Sequence, residues 1–193
     1  MKIGIATPIH TRDVNYMMYN KKSVLELKPK AFLQVSYLNN GIKGLKFYRT
    51  FLFDHLFNSG CDIVLQCSVD HYLHKDILKY VEKNKITTFA YLKYRLSFII
   101  DFIRFKISPS MWTGCYSITK EFWDYFKSSK YYQYWDGGDY DIALFAEEIG
   151  YPIKRIRKPK YTLLNPSKSD PFKDIENYPL WKKIIRKVSW ADH

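Results

Sequence analysis

The sequence predicts an α/β domain built on a mostly parallel central sheet flanked by helices. Three observations predict it. Short apolar runs of strand length alternate with stretches of helical spacing, the pattern of βα units rather than of segregated layers. The run "CDIVLQCSVD" (61–70) is almost continuously apolar, as expected of a strand covered on both faces. The chain has 193 residues, 47% hydrophobic and 26% charged, enough to bury one core in one domain.

The elements follow in order. Lys2 to Ala6 is a short strand closed by the loop "TPIH". "AFLQVSYL" (31–38) alternates and ends at "NNG", a second strand and turn. From Gly44 to Asn58, Leu45, Tyr48, Leu52 and Leu56 share one helical face, and Gly60 stops the helix. After the 61–70 strand, His74 to Asn84 reads as a helix with Ile77, Leu78 and Val81 inward. "ITTFAYL" (86–92) is a fourth strand, and "RLSFIIDFIRFKI" (95–107) leans to helix. "WTGCYSIT" (112–119) is a fifth strand, and Thr119 opens a helix through "KEFWDYF". Asp141 to Glu148 is a helix ended by Gly150, "YPIKRIR" a strand, and 159–179 a loop. "LWKKIIRKVSW" (180–190) closes the chain as a helix.

The formal net charge is +12, which favours polyanionic partners: nucleic acid, anionic lipid or phosphorylated small molecules. Three cysteines, an odd number without a CxxC pair, argue against a disulfide framework and for a reducing compartment. "MKIGIATPIH" is not a secretory signal, and "LSFIIDFIRF" is too short and too charged to span a bilayer. The expectation is a cytoplasmic protein.

Ligands of open α/β sheets collect beyond the carboxyl ends of the strands. Three stretches fall there: "TPIHTR" after the first strand, "SVDH" (68–71), and the acid–glycine cluster "WDGGDYD" (135–141). In "SVDH" an acid beside a histidine either holds a divalent cation or caps a helix. In "WDGGDYD" the glycines permit a sharp turn or a close ligand, and Asp139 and Asp141 start a helix. One of those acids is either a general base or a partner of the helix dipole. A zinc site from Cys61, Cys67, His71 and His74 is excluded, because two cysteines six strand positions apart lie about 20 Å from one another.

The order of these pieces resembles the GT-A glycosyltransferases, a Rossmann-like fold. "KIGIATPIHTR" looks like the opening strand and loop that hold the nucleotide, and "DIVLQCSVDHYLHKDIL" like the strand bearing the Asp-x-Asp motif. "WTGCYSITKEFWDYF" looks like the strand with a glycine near the donor sugar, and "GGDYDIALFAEEIGYPIKRI" like the acidic motif, helix and closing strand. The resemblance covers most of residues 1–157 and implies a catalytic domain over 1–160, with 161–193 as a loop and basic helix of the same domain. It implies a nucleotide-sugar donor, a sugar, protein or lipid-linked acceptor, and Mn2+ or Mg2+ as cofactor.

Carried over residue by residue, the resemblance gives Asp139 as catalytic base, the position that inverting members use; a base there favours inversion over retention, and the sequence itself leaves the two open. It gives Thr7, Pro8, Arg12, Ser68, Asp70, Gly114 and Asp141 as donor-binding residues, and Asp70 with His71 as metal ligands. Two positions depart from the family pattern. Ser68 stands where the first acid of Asp-x-Asp belongs, and Gly138 where a Glu usually precedes the Asp. Arg12, Lys46 and Arg49 either add positive charge to that end of the cleft or lie solvated on the surface.

The rival readings are a basic nucleic-acid-binding protein, a nucleotidyltransferase, and a relative that has lost activity. No RRM, zinc-finger or helix-turn-helix signature supports the first. In 180–190, Trp181, Ile184, Ile185 and Val188 form an apolar face, with Lys182, Lys183, Arg186 and Lys187 mainly off it. That pattern suits either a helix docked on the core or peripheral contact with an anionic membrane.

Overall fold

The computed structural model of the protein describes residues 1–37, 42–89, 114–135, 137–156 and 160–164. The sequence-based expectations for 95–107 and 180–190 lie outside these residues, as does Asp136. The strands are β1 (Ile3–His10), β2 (Ala31–Tyr37), β3 (Ile63–Cys67), β4 (His71–Leu73), β5 (Ile86–Phe89), β6 (Cys115–Thr119), β7 (Ile153–Ile156) and β8 (Tyr161–Leu163). The helices are α1 (Met17–Glu26), α2 (Ile42–Asn58), α3 (Lys120–Lys127), α4 (Lys130–Tyr134) and α5 (Asp139–Glu148).

Among the described residues, six strands form one sheet in the order β2-β1-β3-β6-β5-β7. β1 pairs in parallel with β2 and β3, and β5 with β7. β6 runs antiparallel to both of its neighbours, so it alone opposes the common direction. This is the mostly parallel α/β sheet that the alternation of runs predicts. β4 and β8 form a separate antiparallel pair.

Both faces of the sheet are covered, which is why "IVLQC" and "CYSIT" are buried along their whole length. On one face Ala6, Val64, Tyr116 and Ile118 pack with Leu52, Phe53 and Leu56 of α2, Trp123 of α3 and Ile142 of α5. On the other, Ile5, Leu65, Cys67 and Phe89 pack with Val24 of α1, Leu73 of β4 and Ile77. Trp123 is fully buried yet satisfied, since its indole N–H donates to Asp54 Oδ1 at 2.7 Å.

The structure corrects four boundaries. β1 does not stop at Ala6 but runs through Thr7 and Pro8 to His10. Pro8 is tolerated because the β1–β3 ladder ends at Ala6–Gln66, while pairing with β2 continues to His10–Tyr37. The helix expected over 74–84 is only a 3-10 turn, Ile77–Tyr80. Asp76, which stands at the cap position, makes no cap bond and gives its carboxylate to Lys160 at 2.5 Å instead. β8 falls inside the expected 159–179 loop. The stretch 11–30, to which sequence reading assigned no element, holds a 3-10 turn (Thr11–Tyr16) and α1.

Candidate functional site

The first part of the site is the turn that leaves β3. His71 N–H donates to Ser68 C=O at 3.1 Å, closing a four-residue turn over Ser68, Val69, Asp70 and His71. Val69 is buried and anchors the turn, while the Asp70 side chain keeps 21% exposure. His71 Nε2 lies 3.7 Å from Asp70 Oδ1. The imidazole is buried, stacks on Tyr161 with centroids 4.2 Å apart, and its Nδ1 has no hydrogen-bond partner. Burial pushes its pKa down to about 3, so His71 is neutral.

The second part is the start of β6. Because β6 is antiparallel to β3, its first residues meet the turn that ends β3. Gly114 donates no side chain there, and a Cβ would sit 2.5 Å from Ser68 Oγ and 3.4 Å from His71 Cε1. Only glycine lets β6 approach Ser68 and His71 so closely. Gln66 holds the same point, its Nε2 donating to Gly114 C=O at 3.1 Å.

The third part is the acid–glycine turn into α5. Gly137 adopts φ +101°, and a Cβ would lie 2.6 Å from Lys46 N and 2.8 Å from Leu45 C. Trp135, buried in the aromatic cluster, donates its indole N–H to Gly138 C=O at 2.6 Å. Gly138 is the N-cap without a side-chain cap bond, and Asp139 and Asp141 occupy the first turn. Asp139 does not stand alone in the cleft. Arg49 Nη1 donates to its Oδ1 at 2.7 Å and also to Gly137 C=O. The guanidinium is buried and sits 6.0 Å from the Tyr116 ring centre. Burial raises the Tyr116 phenol above its ordinary value against the opposing charge of Arg49, and Asp139 adds to the rise.

Gln66 links these parts: it bonds Gly114 and pairs with Tyr116 across β3 and β6, and the guanidinium that holds Asp139 lies by the Tyr116 ring. Of the other residues singled out in the sequence, Thr7 and Pro8 are buried within β1, and Thr7 Oγ1 is engaged by Cys67 Sγ at 3.1 Å. Arg12 lies in the 3-10 turn after β1. Asp141 is part-buried, two residues beyond Asp139. Lys46 points its ammonium at the C=O groups of Tyr132 and Gln133 and covers the Tyr132 ring, which ties α2 to α4. Arg49 is thus a buried partner of Asp139 and not a solvated surface residue.

Sequence reading missed Asn20, Gln66 and Tyr116. Gln66 and Tyr116 are polar groups inside apolar strands, a signal that could have drawn notice. The three cysteines are free and buried, and burial pushes the Cys67 thiol up to about 11. Among the described residues no three His, Cys, Asp or Glu side chains gather in a metal-binding group. A hollow of about 450 Å³ lined by Met18, Lys21, Lys22 and Leu25 lies on the outer face of α1, apart from these residues.

No family model matches the chain, and no curated protein matches its sequence. Solved structures do match. The catalytic domain of Drosophila β1,4-galactosyltransferase 7, in complex with xylobiose, is similar at 15% identity, over 97% of this chain and 80% of that one, with a TM-score of 0.52. Glucosyl-3-phosphoglycerate synthase from Mycobacterium tuberculosis, in complex with phosphoglyceric acid, is similar at 11% identity, over 99% and 80%, with a TM-score of 0.51. The likeness is one of fold, and the fold of this chain is that of the GT-A glycosyltransferases.

Proposed function

We propose that the protein is a glycosyltransferase that moves a sugar from a nucleotide-diphosphate-sugar donor to an acceptor hydroxyl. What supports this reading is the fold, together with the Ser68–His71 turn beside Gly114 and the Arg49–Asp139 pair beside Tyr116. Asp139 is the base in this reading. It takes the acceptor hydroxyl proton as that oxygen bonds to the anomeric carbon and the nucleoside diphosphate leaves with the electrons of the broken bond. Attack from the face opposite the leaving group inverts the anomeric centre. Arg49 fixes the base through its guanidinium, and Asp141 lies two residues further along the same helix, turned to a different side.

A divalent cation, Mn2+ or Mg2+, fits beside Asp70 and His71. A carboxylate oxygen and a neutral imidazole nitrogen 3.7 Å apart suit adjacent ligand positions. The ring nitrogen that faces Asp70 is Nε2, while the buried atom without a partner is Nδ1, so Nε2 is the one that would take the ion. Two protein ligands suffice where substrate phosphates and water supply the rest. When bound, the ion supplies Lewis-acid neutralisation of the leaving diphosphate. Ser68, in place of an acid, offers a hydroxyl to a ribose or a water. Thr7, Pro8 and Arg12 support the nucleotide end of the cleft, with Thr7 acting from within β1. The acceptor is a sugar, protein or lipid-linked hydroxyl compound.

The test is a thermal-shift series with uridine, guanosine, adenosine and cytidine diphosphates, with and without manganese, followed by hydrolysis or transfer assays on the matching sugar nucleotides. One diphosphate is expected to stabilise the chain only with manganese, and Asp70→Ala to abolish that shift. Asp139→Asn is expected to bind the diphosphate normally and lose transfer by ~10²–10⁴-fold. An unchanged manganese-dependent shift in Asp70→Ala overturns the metal assignment, and full turnover in Asp139→Asn overturns the base.

A further inference from the structure

α1 faces the short strand β4 with two buried polar side chains one turn apart, Asn20 and Ser23. Backbone groups along a strand alternate between its two edges. On one edge of the 68–74 segment the even residues pair with β8 and its flanks: Leu164 N–H donates to Asp70 C=O at 2.7 Å, and His74 N–H to Lys160 C=O at 2.9 Å. The odd residues, His71 and Leu73, turn the other way, where among the described residues no second strand stands next to β4. A buried strand edge without partners leaves polar groups desolvated and unpaired, which is unfavourable.

Side chains of α1 occupy that edge. Asn20 Nδ2 donates to His71 C=O at 2.8 Å and to Ser68 C=O at 3.3 Å, so one amide spans both ends of the turn that carries Asp70. Ser23 Oγ accepts from Leu73 N–H at 3.1 Å and donates to Asn20 C=O at 2.8 Å. The other half of the Asn20 amide is fixed by the sheet: its Oδ1 accepts from Gln34 Nε2 at 3.0 Å and from Thr7 Oγ1 at 3.4 Å. Asn20 is fully buried and Ser23 nearly so.

We propose that Asn20 and Ser23 are positioning residues that stand in for a missing neighbour strand and set the Ser68–His71 turn, and with it Asp70 and His71, for the metal–diphosphate unit. The functional half of this statement rests on the glycosyltransferase reading; the positioning half does not. The two halves of the Asn20 amide have separate jobs. Oδ1 is held by β1 and β2, and Nδ2 alone holds the turn. Asn20→Asp keeps the acceptor and removes both donors to the turn, with little change of volume. Ser23→Ala removes the bond to Leu73 alone. Gln34→Leu removes only the β2 bond to Oδ1, leaves that from Thr7, and serves as the control for general destabilisation.

Two measurements separate the claims. Hydrogen exchange followed by mass spectrometry reads the 68–74 backbone in the ligand-free full chain. Exchange there is expected at least tenfold faster in Asn20→Asp, and faster around Leu73 in Ser23→Ala, with the 68–74 segment little changed in Gln34→Leu. Wild-type protection of 68–74 in both Asn20→Asp and Ser23→Ala, whatever their melting temperatures, overturns the positioning proposal. The second measurement is the manganese-dependent shift with the diphosphate that stabilises wild type. It is expected to vanish in Asn20→Asp and persist in Gln34→Leu; its survival in Asn20→Asp overturns the functional half. If wild type responds to no diphosphate, the glycosyltransferase reading fails, and the exchange result alone decides the positioning claim. Should Asn20→Asp not fold, Ser23→Ala carries the exchange test.

Discussion

At Gly137 a positive φ and a close approach coincide, since the backbone of α2 fills the space a side chain would take. Gly137→Ala is therefore expected to destabilise the protein by about 1–3 kcal/mol, read as a lower denaturant midpoint at unchanged slope. An alanine chain as stable as wild type would show that the turn relaxes away from α2. His71 is informative for a different reason. Its folded pKa, about 3, lies below the ordinary 6.5, so the unfolded chain binds the extra proton between those values. Stability from this group is present above the unfolded value and drains as pH falls through the window. The loss approaches ~1.4 kcal/mol per pH unit. His71→Phe, which preserves stacking on Tyr161, is expected to flatten the fall in urea midpoint between about pH 6.5 and pH 5, where ordinary carboxylates stay ionised. An equally steep fall in that variant would place the titration elsewhere. Both residues were legible as types in the sequence, an acid-flanked glycine and a histidine beside an acid. Asn20 was not, because nothing in "NYMMYNKKSVLE" marks one asparagine as buried and its neighbours as exposed.

Elements are tied together by a few polar bonds between apolar faces. Thr119 ends β6 and caps α3, its Oγ1 accepting from Phe122 N–H at 3.2 Å and meeting Tyr151 Oη at 2.7 Å. Sequence reading placed the helix start at this threonine, and the cap geometry agrees. Thr119→Ala is expected to cost about 0.5–2 kcal/mol; a cost near zero in denaturant melts would mean that α3 is held by its aromatic face alone. Arg49 and Asp139 tie α2 to α5 in the same way. A double-mutant cycle with Arg49→Met and Asp139→Asn is expected to show a coupling energy of ~0.5–3 kcal/mol, and strictly additive effects would deny the pair. The periodicity that predicted α2 correctly assigned Leu52 and Leu56 to the core, yet it carried no information on Arg49. A helical face admits an arginine only if a partner waits, and the partner is 90 positions away in sequence. The 74–84 expectation failed for a related reason: Asp76 has a better partner in Lys160 than in its own helix start.

Across the whole molecule the formal net charge is +12, and a field of that sign attracts anions. If the donor diphosphate is drawn by that field, its affinity measured by calorimetry should fall severalfold between about 50 mM and about 300 mM salt, as screening lengths shorten towards several Å. Affinity indifferent to salt would assign recognition to local bonds and the cation alone. Among the described residues no helix is long and apolar enough to cross a membrane. What the sequence determined by itself is the set of local, periodic properties. Alternation gave the α/β class, continuous apolar runs gave the doubly covered strands, and Gly150 gave the end of α5. Each depends on residues within one or two turns of one another. The tertiary structure decided the rest, because it depends on partners far apart in the chain: that β6 runs backwards beside β3, that Gly114 meets Ser68, that Arg49 is buried against Asp139, and that Asn20 holds the turn of Asp70. Burial makes such partnerships energetically necessary, and no local pattern records which distant group will satisfy a buried polar atom.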